Sequence, residues 1–167
     1  MGCGKSTAGR RIARAMGWQF VDLDESVKKQ EGLTVKEIFD IHGEEYFRSA
    51  ESKALEKVSA RSGVVVACGG GTPCSERNIS MMHSTGVVVY LDMSVKALAA
   101  RLIKSGKDRP ILAGVPENDL PDRIEELLNK RIIWYKQADI IAEGLNIDIN
   151  GITTMLAAHI KAAGTVL

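Results

Sequence analysis

The sequence predicts an α/β fold in which helices cover both faces of a parallel sheet. Short apolar runs alternate along the chain with amphipathic patterns of helical period. The apolar runs are mostly β-branched or aromatic and end at polar residues or glycine, as buried parallel strands do. Strands separated by helices are joined by right-handed crossovers, which place the helices on the two faces of the sheet.

Length and composition limit the classes of function. The chain has 167 residues, of which 45% are hydrophobic and 26% charged, so we expect one globular domain over residues 1–167. A formal charge of +1 gives no general attraction to nucleic acid or to an anionic membrane. The apolar runs are too short to span a bilayer, and the three cysteines have no zinc-binding spacing. We therefore expect a cytoplasmic protein with reduced thiols.

The elements follow in order along the chain. Thr34 and Glu37 form a capping box at the start of one helix, Gly43 marks a break before a longer helix, and Ser94 is a candidate helix cap. The predicted strands cover residues 19–22, 63–68, 87–92 and 139–142. The predicted helices cover residues 8–16, 34–42, from the break to about 60, 94–104, 120–135 and 152–163.

Residues 105–119 fit neither pattern. The segment contains two glycines and two prolines, is long for a connection, and begins among the cations Arg101, Lys104, Lys107 and Arg109. It is either a solvated loop or a lid that carries positive charge over an anionic ligand.

The N-terminal residues match the end of a phosphate-binding loop of the form G-x-x-x-x-G-K-[ST]. Backbone amides and a helix N-terminus attract phosphate, Lys5 reaches the outer phosphates, and the Ser6 hydroxyl can bind Mg²⁺. The alternative is a glycine-rich segment that only caps a helix. The matching residues are Gly2, Cys3, Gly4, Lys5, Ser6 and Thr7.

Asp22 and Asp24 follow the first strand, where parallel sheets form their ligand crevice. If the strand geometry continues, its period of two points both carboxylates to one side. One carboxylate could then serve the metal and the other orient or deprotonate a hydroxyl nucleophile. A carboxylate that only caps a helix is the alternative.

Gly69, Gly70 and Gly71 follow the second strand, where many nucleotide hydrolases carry an aspartate. Three glycines let the backbone approach a second substrate closely, although they also suit a tight turn without a ligand. Arg48 and Arg131 lie on predicted helices, and each taken alone is an ordinary solubilising side chain.

In this order, the motifs resemble those of the shikimate kinase family over nearly the whole chain. The resemblance implies a three-layer P-loop kinase fold with a mobile lid and a five-stranded parallel sheet, of which four strands are visible here. It implies transfer of the γ-phosphoryl group of ATP to the 3-hydroxyl of shikimate with Mg²⁺, by a monomer. The motifs are the phosphate loop, D-x-D at 22–24, F-R at 47–48, G-G-G at 69–71, R-P-I-L at 109–112 and R-x-x-x-Y at 131–135.

The resemblance also implies residue roles. Ser6 and Asp22 would serve Mg²⁺, and Asp24 would bind the ring hydroxyls and act as base or orienter. The shikimate carboxylate would bind Arg48 and Arg131, with backbone contacts from the three glycines, Gly70 in particular. Lys5 and Arg109 would neutralise the transferring phosphoryl group, with Arg109 in a lid at about 105–119. Lys104 and Asn150 would lie near adenine.

The family's first strand lies centrally, between the strands predicted at 63–68 and 87–92. This sequence contains neither that strand nor the first glycine of the phosphate loop. Two unpaired strand edges would cost much of a domain's stability, so we expect the 167-residue chain to fold poorly. We expect Met1 to be an internal methionine of a longer protein.

Two other functions remain open. A gluconate or nucleoside monophosphate kinase of the same fold would share the loop and lid, but need not combine Arg48, Arg131 and the three glycines. A GTPase-type binding module would require N-K-x-D for guanine, and residues 129–132 lack its acidic residue.

Overall fold

A computed structural model describes residues 2–105, 110–112 and 114–162 of the chain. Strands and helices alternate as predicted, with four strands in the described residues, β1 Gln19–Asp22, β2 Val64–Ala67, β3 Val89–Asp92 and β4 Ile140–Glu143. The helices there are α1 Lys5–Met16, α2 Leu23–Glu31, α3 Val35–Ser59, α4 Glu76–Thr85, α5 Val95–Ser105, α6 Leu120–Tyr135 and α7 Ile149–Ala162, with short 3-10 turns at Pro110–Leu112 and Glu117–Asp119.

The four strands form two parallel pairs. Strand β1 pairs with β2 in the register Gln19 to Val64, and β3 pairs with β4 in the register Val89 to Ile140. In the described ranges no ladder joins β2 to β3, so the expected continuous sheet consists here of two two-stranded sheets. This interruption falls where the resemblance places the family's first strand. The expectation about residues before Met1 remains a prediction.

Helices cover both faces of the β1–β2 pair. Val64 and Val66 pack against α2 and α3, in a cluster that includes the fully buried Leu23 and Ile38. The side chain between them, Val65, points to the opposite face and packs in a second cluster with residues of α1 and α7. The same second cluster holds Val89 and Leu91 of β3, so α1 and α7 connect the two sheets by apolar packing.

A third apolar cluster lies beneath the phosphate loop. Leu102 of α5 packs in it with Ile124 of α6, and Cys3 packs against its edge. A Cβ atom placed on Gly2 would lie 3.1 Å from Cγ of Leu102, so the loop rests directly on α5.

The capping signals predicted from sequence are confirmed. Thr34 and Glu37 form a complete capping box at the start of α3. Gly43 interrupts that helix with φ 81° and ψ 173°, and the Ser94 hydroxyl accepts from the Ala97 N–H at 3.3 Å. Helices α2 and α4 were not predicted.

Three further expectations concern the thiols, membrane-spanning helices and the predicted lid. The three cysteines, Cys3, Cys68 and Cys74, are free thiols. None of the helices in the described residues is long and apolar enough to cross a membrane. Residues 106–109 and 113 of the predicted lid, including Arg109, lie outside the described residues.

Candidate active site

The phosphate loop has the backbone geometry that its glycines allow. Gly2 and Gly4 have positive φ angles of 63° and 87°, a region that other residues rarely adopt. Gly4 precedes α1 and supplies no side-chain cap, so the first amides of the helix remain available to an anion. The Cys3 carbonyl accepts from Nη1 of Arg101 at 3.0 Å.

The D-x-D motif spans a strand end and a helix start. The continued strand geometry considered above is wrong, because β1 ends at Asp22 and α2 begins at the fully buried Leu23. Asp22 caps α2 by accepting from the Asp24 N–H at 3.2 Å. The helix-capping alternative is therefore confirmed for Asp22, but its second carboxylate oxygen has a different partner.

Ser6 and Asp22 meet as the metal-binding prediction requires. The Ser6 hydroxyl donates to Oδ2 of Asp22 at 2.7 Å, so one hydroxyl and one carboxylate oxygen lie together beside the phosphate loop. The described residues contain no cluster of three or more His, Cys, Asp or Glu side chains able to hold a metal. Mg²⁺ usually takes one or two carboxylates and completes its shell with phosphate and water, so this small oxygen pair fits it.

Lys5 and Asp24 face each other across the site. Nζ of Lys5 lies 4.0 Å from Oδ2 of Asp24, and each side chain is only about a quarter exposed, 29% and 25% respectively. The phosphate loop therefore places its lysine beside the carboxylate predicted to orient the nucleophile. A hydroxyl bound to Asp24 would therefore lie next to a phosphate bound to Lys5.

Two acidic residues of its own helix hold Arg48. Nη1 of Arg48 donates to Glu51 at 2.8 Å, and Nη2 donates to the more exposed Glu44 at 2.9 Å. Burial tends to lower the pKa of Arg48, but the carboxylates outweigh this effect, chiefly Glu51, and the pKa is raised. The guanidinium also lies 5.2 Å from the ring centre of Phe47.

The glycine turn at 69–71 packs against this network. A Cβ atom on Gly71 would lie 2.5 Å from Cζ of Arg48. A Cβ atom on Gly69 would collide with Glu51 and would lie 3.3 Å from Oδ1 of Asp24. The turn therefore needs glycine because side chains from both predicted substrate elements approach its backbone. The contact of the turn with a ligand stays a prediction.

The Glu51 side chain was not predicted to belong to the site. It is 1% exposed, accepts from Arg48 through Oε2 and accepts from the Thr72 hydroxyl through Oε1. The available sequence signal was the spacing of three residues from Arg48, which places both on one helix face. The contact with Thr72 has no comparable local signal, because the two residues lie far apart in sequence.

Arg131 lies on α6, the helix whose Tyr135 hydroxyl donates to the carbonyl of Gly70 in the same turn. Burial raises the pKa of Cys74, and the positive charge of Arg131 opposes that rise. The pKa of Tyr135 is raised mainly by burial, again with Arg131 opposing. The positive charge of Arg131 thus acts on two groups, Cys74, which follows the glycine turn, and Tyr135 of its own helix.

The nucleotide-base predictions receive less support. The Lys104 and Asn150 side chains are both exposed, and neither is joined to the phosphate loop by a hydrogen bond in the described part of the chain. Arg101 instead connects the phosphate loop with the segment that follows β4. It donates to the carbonyl of Cys3 and, at 3.3 Å, to that of Leu145. The sequence singled out this arginine only as one of the cations before the lid, without a role at the phosphate loop.

Comparison with known proteins agrees with the geometry. The model of the shikimate kinase family matches residues 1–159. The shikimate kinase of Gloeobacter violaceus is 44% identical over 140 residues, which cover 84% of this chain and 77% of that protein. The shikimate kinase of Geobacter sulfurreducens is 34% identical over 161 residues, with 96% and 87% covered.

Solved structures give the same result. The crystal structure of shikimate kinase from Bacteroides thetaiotaomicron matches with a TM-score of 0.85 and 34% identity, covering 96% of this chain and 94% of that one. Shikimate kinase from Acinetobacter baumannii in complex with shikimate matches with a TM-score of 0.85 and 28% identity, covering 98% and 89%. With the fold, the phosphate loop and the family match in agreement, the chain belongs to the shikimate kinase family.

Proposed function

We propose that this protein transfers the γ-phosphoryl group of ATP to the 3-hydroxyl of shikimate, giving shikimate 3-phosphate and ADP. The observation that carries the proposal is the position of Asp24. Its carboxylate is 4.0 Å from Lys5 of the phosphate loop, and it also lies against Gly69 of the turn that contacts Arg48. One carboxylate thus joins the phosphate side of the site to the side able to bind a small hydroxylated acid.

The residues divide the work between binding and charge neutralisation. The amides of the phosphate loop and Lys5 hold the outer phosphates, and Arg48 and Arg131 bind the shikimate carboxylate by charge-assisted hydrogen bonds. When bound, Mg²⁺ at Ser6 and Asp22 would neutralise phosphate charge. Phosphoryl transfer depends chiefly on such positioning and charge stabilisation.

The chemical step needs one proton acceptor. Asp24 accepts a hydrogen bond from the 3-hydroxyl and directs its oxygen at the γ-phosphorus. A bond forms between that oxygen and phosphorus as the bond to the β–γ bridging oxygen breaks. The hydroxyl proton passes to Asp24 and then to water, while ADP leaves with the negative charge of the broken bond.

The proposal includes a cytoplasmic monomer that acts without nucleic acid or membrane. The formal charge of +1 supports this part, because it provides no general attraction to polyanions. Sedimentation of the purified protein would test the oligomeric state, and a stable dimer would overturn the proposed monomer.

The test is ADP formation from Mg²⁺-ATP with shikimate, gluconate or AMP offered separately. We expect turnover that depends on shikimate, and turnover with gluconate or AMP alone would refute the assignment. Arg131→Ala should raise the KM of shikimate by roughly tenfold or more, because a desolvated charge pair is lost. Arg123→Ala is the matched control, since Arg123 lies on the same helix and pairs with the exposed Glu126.

A further inference from the structure

Tyr135 completes the R-x-x-x-Y motif but has no part in the function proposed above. Its hydroxyl donates to the carbonyl of Gly70 at 2.6 Å, across 65 positions of sequence. The thiol of Cys74 approaches the same carbonyl at 3.6 Å, a longer and weaker contact. The side chain of Tyr135 is mostly buried, and its ring stacks on Tyr90 with ring centres 5.0 Å apart, so the hydroxyl is held in one direction.

Every carbonyl of the turn accepts a hydrogen bond from the protein. Gly69 accepts from the Thr72 N–H at 3.2 Å, and Gly71 accepts from the Cys74 N–H at 3.0 Å. The Thr72 carbonyl accepts from the Asn78 side chain at 2.8 Å. Tyr135 supplies the remaining strong donor, to Gly70.

The amides of the turn, in contrast to its carbonyls, are not all hydrogen-bonded within the protein. Within the described residues, the N–H groups of Gly70 and Gly71 donate to no protein acceptor. Both glycines are partly exposed, so these two amides are open to water or to a ligand. Arg48 lies directly beside Gly71, which places that amide in the proposed shikimate subsite.

The peptide bond between Gly70 and Gly71 links the restrained carbonyl to one of the open amides. The carbonyl of Gly70 and the N–H of Gly71 belong to one planar trans unit and point in opposite directions. A hydrogen bond that fixes the carbonyl therefore also fixes the amide. Glycine is the residue that most needs such a restraint, because its backbone has the widest conformational freedom.

We propose that Tyr135 is a positioning residue for shikimate, which orients the Gly71 N–H toward the substrate by holding the Gly70 carbonyl. Tyr135 lies four residues after Arg131, so one face of α6 supplies both the carboxylate-binding guanidinium and the hydroxyl that orients the turn. This inference rests on the proposed function.

The test is Tyr135→Phe, which keeps the ring and its stacking on Tyr90 but removes the hydroxyl. We expect the KM of shikimate to rise by about 3- to 20-fold, since one oriented donor is lost. The KM of ATP should change by less than about twofold, because the nucleotide contacts other elements. Tyr90→Phe is the matched control, because the Tyr90 hydroxyl donates to Asp92 at 3.0 Å and not to the turn.

The outcomes separate the two proposals. A wild-type protein without shikimate-dependent turnover would refute the proposed function. An active wild type with an unchanged shikimate KM in Tyr135→Phe would overturn the role of Tyr135 alone, as would equal changes in both KM values with a lower melting temperature. Cys74→Ala, which removes the weaker donor to the same carbonyl, should raise the shikimate KM measurably, by about 1.5- to 3-fold. If Tyr135→Phe does not fold, an unchanged shikimate KM in Cys74→Ala overturns the inference.

Discussion

Glu51→Gln is expected to destabilise the protein and to weaken shikimate binding together. The two carboxylate oxygens of Glu51 accept from Arg48 and from Thr72, and the residue is 1% exposed. A glutamine can accept from Arg48 through its oxygen and donate to the Thr72 hydroxyl through its amide, so the substitution removes the buried negative charge and not the two contacts. Loss of the carboxylate from its hydrogen bond with Arg48 costs about 1.5–3 kcal/mol. For a chain of this size, that cost lowers the melting temperature by about 3–12 °C.

Thermal unfolding and steady-state kinetics on the same samples would measure both effects. Glu44→Gln is the control, because Glu44 also pairs with Arg48 but its side chain is 54% exposed. An exposed pair of this helical spacing contributes about 0.3–0.5 kcal/mol, so the control should melt less than about 2 °C below the wild type. Equal melting temperatures for the two variants, with an unchanged shikimate KM in Glu51→Gln, would refute the role assigned to Glu51.

Other substitutions address the chemistry and the geometry separately. Asp24→Asn should lower kcat by about 10²–10⁴-fold with little change in the KM of ATP, and a normal kcat would exclude Asp24 as the orienting base. Gly71→Ala places a methyl group against Arg48 and should raise the shikimate KM by roughly tenfold, whereas an unchanged KM would show that the guanidinium lies elsewhere. Desolvation raises the pKa of Cys68 to about 12, so this thiol should resist alkylation between about pH 7 and 9, where ordinary thiols become reactive. Mass spectrometry of the alkylated peptides would detect early labelling of Cys68, which would contradict that environment.

The fold was predictable wherever a local pattern determines an element. The capping box at Thr34 and the cap at Ser94 are formed by residues three positions apart, so their geometry can be read from the sequence. Helix α2 was missed because Asp22 ends a strand and caps a helix at the same time, and D-x-D is compatible with both conformations. Helix α4, which begins at the Ser75 cap, has only three apolar side chains, Ile79, Met81 and Met82, and is short, so it was missed.

In the candidate site, too, local features could be predicted from the sequence and long-range contacts could not. The phosphate loop is contiguous in sequence, and its glycines, Lys5 and Ser6 could be placed without knowledge of the fold. The hydrogen bonds of Glu51 to Thr72 and of Tyr135 to Gly70 join residues 21 and 65 positions apart. Their partners are a hydroxyl and a backbone carbonyl, which carry no distinctive residue pattern. Such contacts are determined by how α3 and α6 pack on the turn, and only the folded chain shows them.

The turn should therefore couple the two substrate-binding helices energetically. Helix α3 restrains it through Glu51 and Thr72, and α6 restrains it through Tyr135 and Gly70. If both restraints set one orientation of the turn, weakening either one also loosens the orientation that the other maintains. The effects of Glu51→Gln and Tyr135→Phe on the shikimate KM should then not add. A double-mutant cycle should give an interaction free energy above about 0.5 kcal/mol, as residues that share a network do. Additivity within about 0.3 kcal/mol would show two independent contacts and no common restraint on the turn.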